Sequence, residues 1–182
     1  TTFIEKTNLQ GIHHSPIYYS GNPVLKADKK WELNINGDPY AAPFSGGVWY
    51  DEEEHKFKMW YSVGGGKLLG LVTCYAESSD GKVWIKPELD VVPGTNIVDT
   101  LERDCVSVLL DKFEKDRTKR YKMFVVEFNN RFTVSMKLKY SSDGIHWSEP
   151  KALSGELYDR CAAYYDPFRK KYVLSLKTIN GV

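Results

Sequence analysis

The sequence predicts an all-β protein built from copies of one β-module, and two observations support this. A turn with the pattern Ser-Ser-Asp-Gly-x-x-Trp occurs twice, at residues 78–84 and at residues 141–147. Around it runs a longer pattern, in which a short apolar run closes on an aspartate and is followed by a polar loop and an alternating strand. Self-similarity of this kind is typical of repeat architectures.

The repeat length favours a β-propeller. The aspartates that close the apolar runs are Asp51, Asp111 and Asp166, which are 60 and 55 residues apart. Propeller blades run roughly 40–50 residues, and more with insertions. Aromatic and β-branched residues alternate with polar ones, and Asp, Gly and Asn fill the turns, which favours strands over helices. A small twisted sandwich of two sheets is the alternative fold.

The N-terminal part of the chain is less regular than the rest. Residues 1–37 show no sustained period and are predicted to form an irregular edge segment. Asn22-Pro23-Val24-Leu25 resembles a short edge strand, and the stretch from Ala27 to Leu33 is expected to form one or two helical turns.

Two repeats follow, each predicted to be one blade. The first repeat comprises residues 38–90, with Gly64-Gly65-Gly66 at a hairpin tip. Residues from Val91 to Glu102 are predicted to be a connection. The second repeat comprises residues 103–152, and Asn129-Asn130 is expected to form its hairpin turn.

The third repeat, residues 156–182, has only two strands before the sequence ends. A propeller closes by packing its last blade against its first, and propellers typically have at least about four blades. We therefore expect this chain to supply about two and a half to three blades of a larger propeller. Missing blades of the same propeller, or a self-association partner, would cover the strand edges that otherwise invite pairing.

The composition argues against several classes of partner. The 182 residues include 25 Lys and Arg and 24 Asp and Glu, so the net charge of +1 gives no field that attracts nucleic acid. The longest apolar runs are too short for a membrane span. Cys74, Cys105 and Cys161 fit no zinc pattern and are expected to be buried free thiols, the last two on matching strands. No metal or cofactor is expected.

Two carboxylates are candidates for a catalytic pair. In a propeller the first strand of each blade lines the central channel, so residues at equivalent positions converge on one pocket. Asp104 and Asp159 each lie seven residues before a closing aspartate, Asp111 and Asp166 respectively. Two carboxylates that face a common pocket are what glycoside hydrolysis requires, and their repulsion raises one pKa.

Other residues are candidates for substrate binding. Arg103 precedes the first carboxylate and Arg160 follows the second, where they would position carboxylates or substrate hydroxyls. Trp49 and Tyr40 are candidates for stacking on a sugar ring, whose C–H face is apolar. The alternatives are core packing for the two aromatic residues, and salt bridges or turn caps for the aspartates and arginines.

The layout resembles that of the five-bladed β-propeller glycoside hydrolases of families 32, 43 and 68, which include invertase-like and arabinanase-like enzymes. The motif NPVL at residues 22–25, the run ending VWYD at residues 48–51 and the strand KFKMWYS at residues 56–62 look like their first blade. The resemblance covers about residues 20–182. It implies a five-bladed propeller, a carbohydrate substrate or ligand, and an extracellular or periplasmic location.

The resemblance also implies roles for individual residues. Arg103-Asp104 resembles the Arg-Asp motif of invertase-like enzymes, whose aspartate stabilises the transition state. Asp159 falls where those enzymes carry the general acid, usually a glutamate. Their first-blade aspartate should lie near Pro43 or Phe44, neither of which can act as a base, so Asp38 remains as the candidate base.

The expected function is therefore a glycoside hydrolase that acts on a poly- or oligosaccharide. A non-catalytic carbohydrate-binding propeller and a protein-interaction scaffold are the alternatives. Asp80 and Asp143 lie in turns similar to the aspartate-box turns of sialidase-type propellers and are expected to be structural.

Overall fold

The computed structural model describes residues 11–64, 71–130 and 132–178. Within these ranges the protein is all-β, as predicted, and the one helical element is a 3-10 turn at Arg117–Lys119. No helix in the described ranges is long and apolar enough to cross a membrane.

A seven-stranded antiparallel sheet dominates the fold and curls into a half-barrel. Its strands follow the chain order: β1 Val48–Asp51, β2 Lys56–Gly64, β3 Leu71–Ser78, β4 Ile97–Leu110, β5 Tyr121–Phe128, β6 Val134–Ser141 and β7 Ala152–Leu153. A separate two-stranded sheet contains β8 Ala162–Asp166 and β9 Lys171–Ser175.

The long strand β4 joins the first repeat to the second. Its first half pairs with β3 and its second half with β5, and the register shifts between Arg103 and Cys105. Such a shift bends a strand and increases its twist. Residues 91–96 include a turn, as expected of the predicted connection, but the prediction was wrong for residues 97–102, which belong to β4. Charged residues interrupt the apolar alternation of this segment, so the sequence pattern does not predict the strand.

Two buried clusters hold the repeats together. Inside the curl, Trp60 of β2 packs against Tyr121 and Met123 of β5, with 5.6 Å between the ring centroids of Trp60 and Tyr121. A second cluster lies between the second and third repeats and includes Phe124 and Ala163. The second half of β4 therefore has β1 on one side and β8 on the other.

A third cluster covers the outer face of the first repeat. Leu25 and Trp31 pack there on Met59 and Tyr61 of β2. Leu25 makes this contact, although residues 22–25 do not form the predicted edge strand. The segment from Ala27 to Leu33 forms a single turn instead of helical turns.

The side chain of Glu32 explains that turn. Its carboxylate accepts hydrogen bonds from the backbone N–H groups of Asp28 and Lys29, at 2.8 and 3.0 Å. Those N–H groups are thereby satisfied without further helical structure.

Three other local predictions can be compared with the structure. The turn at Asn129-Asn130 is confirmed, since the Asn129 N–H donates to the Thr133 carbonyl at 2.9 Å. At the glycine-rich tip, β2 ends at Gly64, and the remaining two glycines lie outside the described residues. The cysteines at 74, 105 and 161 are buried free thiols, as expected.

The two aspartate-box turns have the same hydrogen bonds. One oxygen of Asp80 accepts from the N–H groups two and three residues further on, at 2.8 and 2.9 Å. Asp143 repeats this pattern at the same distances. Ser78 and Ser141 accept from the N–H groups of the turn glycines. The predicted structural role of both aspartates is confirmed.

Candidate functional site

The candidate site lies where the second half of β4 and strand β8 begin. The Cys105 thiol lies 3.1 Å from the carbonyl oxygen of Cys161, so the two strands run side by side at the level of Asp104 and Asp159. The first repeat contributes Phe44, whose ring centre lies 4.7 Å from the guanidinium carbon of Arg160. All three repeats therefore meet near this surface.

Asp104 is a half-buried carboxyl group. Burial raises its pKa, and the negative charge of Asp159 raises it further, while the charge of Arg160 acts in the opposite direction. Its Oδ2 atom is buried and has no hydrogen-bond partner among the described residues. A carboxyl in this position keeps its proton to a higher pH than an ordinary aspartate does.

Asp159 is an exposed carboxylate with the opposite tendency. Lys177 donates a hydrogen bond to its Oδ2 at 2.6 Å, and this contact lowers the pKa of Asp159. The backbone of Asp159 is left-handed, with φ of 49°. Aspartate is one of the few residues other than glycine that tolerates this conformation.

The two carboxyls therefore differ in the direction expected for an acid and its ionised partner. The resemblance to the propeller glycoside hydrolases implied the general-acid role for Asp159 and the stabilising role for Asp104. The pKa directions favour the reverse, because Asp104 is withdrawn from solvent whereas Asp159 is exposed and paired with a lysine. Divergent pKa values in neighbouring carboxyls are typical of acid–base pairs.

Arg103 lies below this surface and is fully buried. Its Nε donates to the Thr73 hydroxyl at 2.8 Å and its Nη2 to the Ser62 hydroxyl at 3.0 Å. Burial lowers its pKa to about 10. Arg103 therefore braces β2 and β3 against β4 instead of facing a substrate, and Arg160 is the exposed arginine of the pair.

Asp38 is not brought to the carboxyl pair. It is exposed, and its hydrogen bonds among the described residues are all made to Asn34, with the side-chain contact at 3.1 Å. A catalytic base at Asp38 therefore has no structural support.

In the described part of the chain, neither aromatic candidate for sugar stacking forms a hydrogen bond with Asp104 or Asp159. The Trp49 indole N–H donates to the Val108 carbonyl at 2.7 Å, and its ring packs between the first and second repeats. Tyr40 is half-buried, and its backbone N–H donates to the Glu32 carbonyl at 2.8 Å. The packing of Trp49 matches the alternative of a core residue.

Sequence reasoning missed two residues of the site. Phe44 lies seven residues before Asp51, so the same count that found the carboxylates also finds the aromatic residue beside Arg160. Lys177 gave no signal in the sequence. It reaches Asp159 because the chain after β9 runs beside the segment that precedes β8, where the Tyr158 N–H donates to the Lys177 carbonyl at 3.0 Å.

A pocket lies at the other end of β4 and β8. Aromatic side chains line it, including Trp49, Phe113, Tyr164 and Tyr172. In the described part of the chain, no group of three or more His, Cys, Asp or Glu residues is placed to hold a metal ion. No protein-family model, curated protein or solved structure matches the chain.

Proposed function

We propose that the protein is a glycoside hydrolase that cleaves glycosidic bonds of an oligo- or polysaccharide. Asp104 acts as the general acid and Asp159 as the ionised partner. The observation that carries this proposal is the proximity of two carboxyls whose pKa values shift in opposite directions. A protonated acid beside a carboxylate is the minimum that this reaction needs.

The chemistry follows from the two protonation states. Asp104 donates its proton to the glycosidic oxygen as the bond to the leaving sugar breaks. Asp159 either attacks the anomeric carbon or removes a proton from the water that attacks it. Arg160 donates hydrogen bonds to substrate oxygens, and Phe44 offers an apolar ring at the edge of the site.

We propose that the fold which presents this pair is a β-propeller of the five-bladed type. The positions of β1, β4 and β8 support this arrangement, because β4 adjoins each of the other two strands and every one of the three ends at or next to a closing aspartate. The convergence of equivalent positions from three repeats supports it too. A glycan substrate would fit an extracellular or periplasmic location.

A second candidate function is carbohydrate binding without turnover. It is favoured by Lys177, which pairs with Asp159, and by Phe44, which stands where a third carboxylate is expected. A neutralised carboxylate still accepts hydrogen bonds from sugar hydroxyls, but it is a weak nucleophile or base.

Isosteric variants of the two carboxyls test the proposal. We expect Asp104→Asn to lower glycan hydrolysis by about 10²–10⁴-fold, the usual contribution of a general acid. Asp159→Asn should reduce it at least as much. Asp38→Asn is the matched control and should retain full activity. Turnover would be followed by mass spectrometry on a panel of oligosaccharides, whose sugar leaving groups need the proton of a general acid.

The pH profile separates the two roles. If Asp104 is the acid, its replacement removes the alkaline limb of the rate profile and leaves the acid limb. Hydrolysis that persists in both variants would refute the proposal. Glycan binding that is lost in both variants, without hydrolysis by the parent protein, would identify the carbohydrate-binding function instead.

A further inference from the structure

Neighbouring repeats are joined by a contact that occurs twice. The Tyr121 hydroxyl, at the start of β5, donates a hydrogen bond to Asp51 of the first repeat. The Tyr172 hydroxyl, in β9, donates in the same way to Asp111 of the second repeat. In both cases a tyrosine of the second strand in one repeat bonds the closing aspartate of the preceding repeat.

An aromatic contact accompanies each of these hydrogen bonds. The ring of Tyr121 lies 5.6 Å from that of Trp60, which belongs to the first repeat. The ring of Tyr172 lies 6.4 Å from that of Phe124, which belongs to the second repeat. The interface between repeats is therefore itself a repeated structure.

The third closing aspartate has no such tyrosine. Among the described residues, Asp166 accepts from the backbone N–H groups of Phe168 and Arg169 and pairs with the Arg169 side chain at 3.7 Å. Tyr164 lies two residues before Asp166, on the same face of β8, and is 51% exposed.

The first repeat is different, because its outer face is already occupied. Leu25 and Trp31 cover Met59 and Tyr61 there. In addition, Phe57 stands at the position that tyrosine takes in the other two repeats, so it has no hydroxyl to donate. A second copy of this chain therefore cannot dock its first repeat on Asp166 in the way that the repeats dock on each other.

We propose that the open face of the third repeat, formed by Ala162, Tyr164, Asp166, Val173 and Ser175, binds a further β-module of the same repeat. This module donates the hydroxyl of a tyrosine in its second strand to Asp166. Its sheet covers Tyr164, as the second repeat covers the corresponding face of the first. The proposal does not depend on glycan hydrolysis.

The experiment supplies such a module as a tethered copy. A second copy of residues 97–178 is appended after Val182 through a flexible Gly/Ser linker of about 20 residues, which reaches roughly 25 Å on average. Hydrogen exchange of the host segments Ala162–Asp166 and Lys171–Ser175 is then compared with that of the unmodified chain. We expect exchange to be at least about 10-fold slower in the tethered protein.

Two variants identify the predicted hydrogen bond. Asp166→Asn in the host, or Tyr121→Phe in the appended copy, should reverse most of the protection. Tyr140→Phe in the appended copy is the matched control and should leave it unchanged, since the described contacts of the Tyr140 side chain with Lys119 and Lys122 are made by its ring, which phenylalanine keeps.

Three outcomes would overturn the proposal. The first is that the host segments gain no protection. This result counts against the proposal even if the appended copy is unfolded, because docking should itself help to fold the copy. The second is that the protection is insensitive to both variants. Alternatively, the unmodified chain sediments as a dimer in which these segments are already protected, which would identify the face as a surface for self-association.

Discussion

His146 shows how one exposed residue links the two halves of the curled sheet. It follows the second aspartate-box turn, and its Nδ1 lies 2.8 Å from Asp143. Its Nε2 lies 2.9 Å from Asp90, which belongs to the first repeat. Hydrogen bonds to Asp143, and then to Asp90, raise the pKa of His146 above its ordinary value of 6.5.

The raised pKa predicts a pH dependence. Protonated His146 is favoured by folding, so its contribution to stability is complete below pH 6.5 and is lost as the pH rises through the folded-state pKa. Asp90→Asn should lower that pKa, and NMR titration of the imidazole protons measures both values. A pKa of 6.5 or lower in the parent protein would contradict the prediction.

Among the elements, the two box turns have the same hydrogen bonds but different surroundings. Gly81 and Gly144 both have positive φ, of 70° and 82°. A Cβ on Gly81 would approach the Phe57 ring no closer than 3.8 Å, whereas a Cβ on Gly144 would lie 2.5 Å from Trp60. The second turn is also bonded to Trp60, whose indole N–H donates to the Gly144 carbonyl at 2.7 Å.

Alanine at these two glycines therefore has unequal effects. Gly81→Ala should cost about 1 kcal/mol of stability, the typical strain of a left-handed non-glycine residue. Gly144→Ala should cost about 3 kcal/mol, because the methyl group also displaces the buried Trp60 ring. Denaturant titrations followed by tryptophan fluorescence measure both changes. Equal losses would show that the second turn does not brace the first repeat.

This comparison indicates what the sequence reveals and what it does not. The Ser-Ser-Asp-Gly turns and the alternating strands are local patterns, so the sequence predicts both correctly. The position of Asp104 in β4 and of Asp159 shortly before β8 was also predictable, from their equal distance to Asp111 and Asp166. The docking of Gly144 on Trp60 joins residues 84 apart in the sequence, and no local pattern reports such a contact.

The same limit explains the site residues that sequence reasoning misplaced. Arg103 stands next to Asp104 in the sequence, but the register of β4 shifts between Arg103 and Cys105, and such a shift re-aims side chains. Arg103 is buried against Thr73, whereas Asp104 is half-buried. The pKa directions of the two carboxyls depend on burial and on Lys177, which only the tertiary structure supplies.

In the whole molecule, the closing aspartates become less buried and have fewer partners from the first repeat to the third. Asp51 is fully buried and accepts from Arg120 and Tyr121, with Lys58 at 3.4 Å. Burial alone would raise its pKa, but these contacts outweigh burial and lower it. Asp111 has fewer partners, Lys122 and Tyr172, and Asp166 has no partner from another repeat among the described residues.

The series predicts graded losses of stability. Asp51→Asn should cost about 3–5 kcal/mol, because it leaves buried cations without their carboxylate. Asp111→Asn should cost about 2 kcal/mol, the usual contribution of a hydrogen bond to a charged group. Asp166→Asn should cost less than about 1 kcal/mol, the usual contribution of a neutral hydrogen bond. Urea unfolding near neutral pH measures all three, and equal losses would show that contacts between repeats do not set the stability.

Acid titration distinguishes a charge effect from a packing effect. Because folding lowers the pKa of Asp51, its contribution is complete above the ordinary value of 3.8 and is lost as the pH falls below it. The parent protein should therefore lose stability steeply in this range, and Asp51→Asn should flatten the loss. An unchanged acid slope would mean that Asp51 joins the first two repeats by shape alone. A flattened slope would show that the ionised carboxylate, with Arg120 and Tyr121, holds them together.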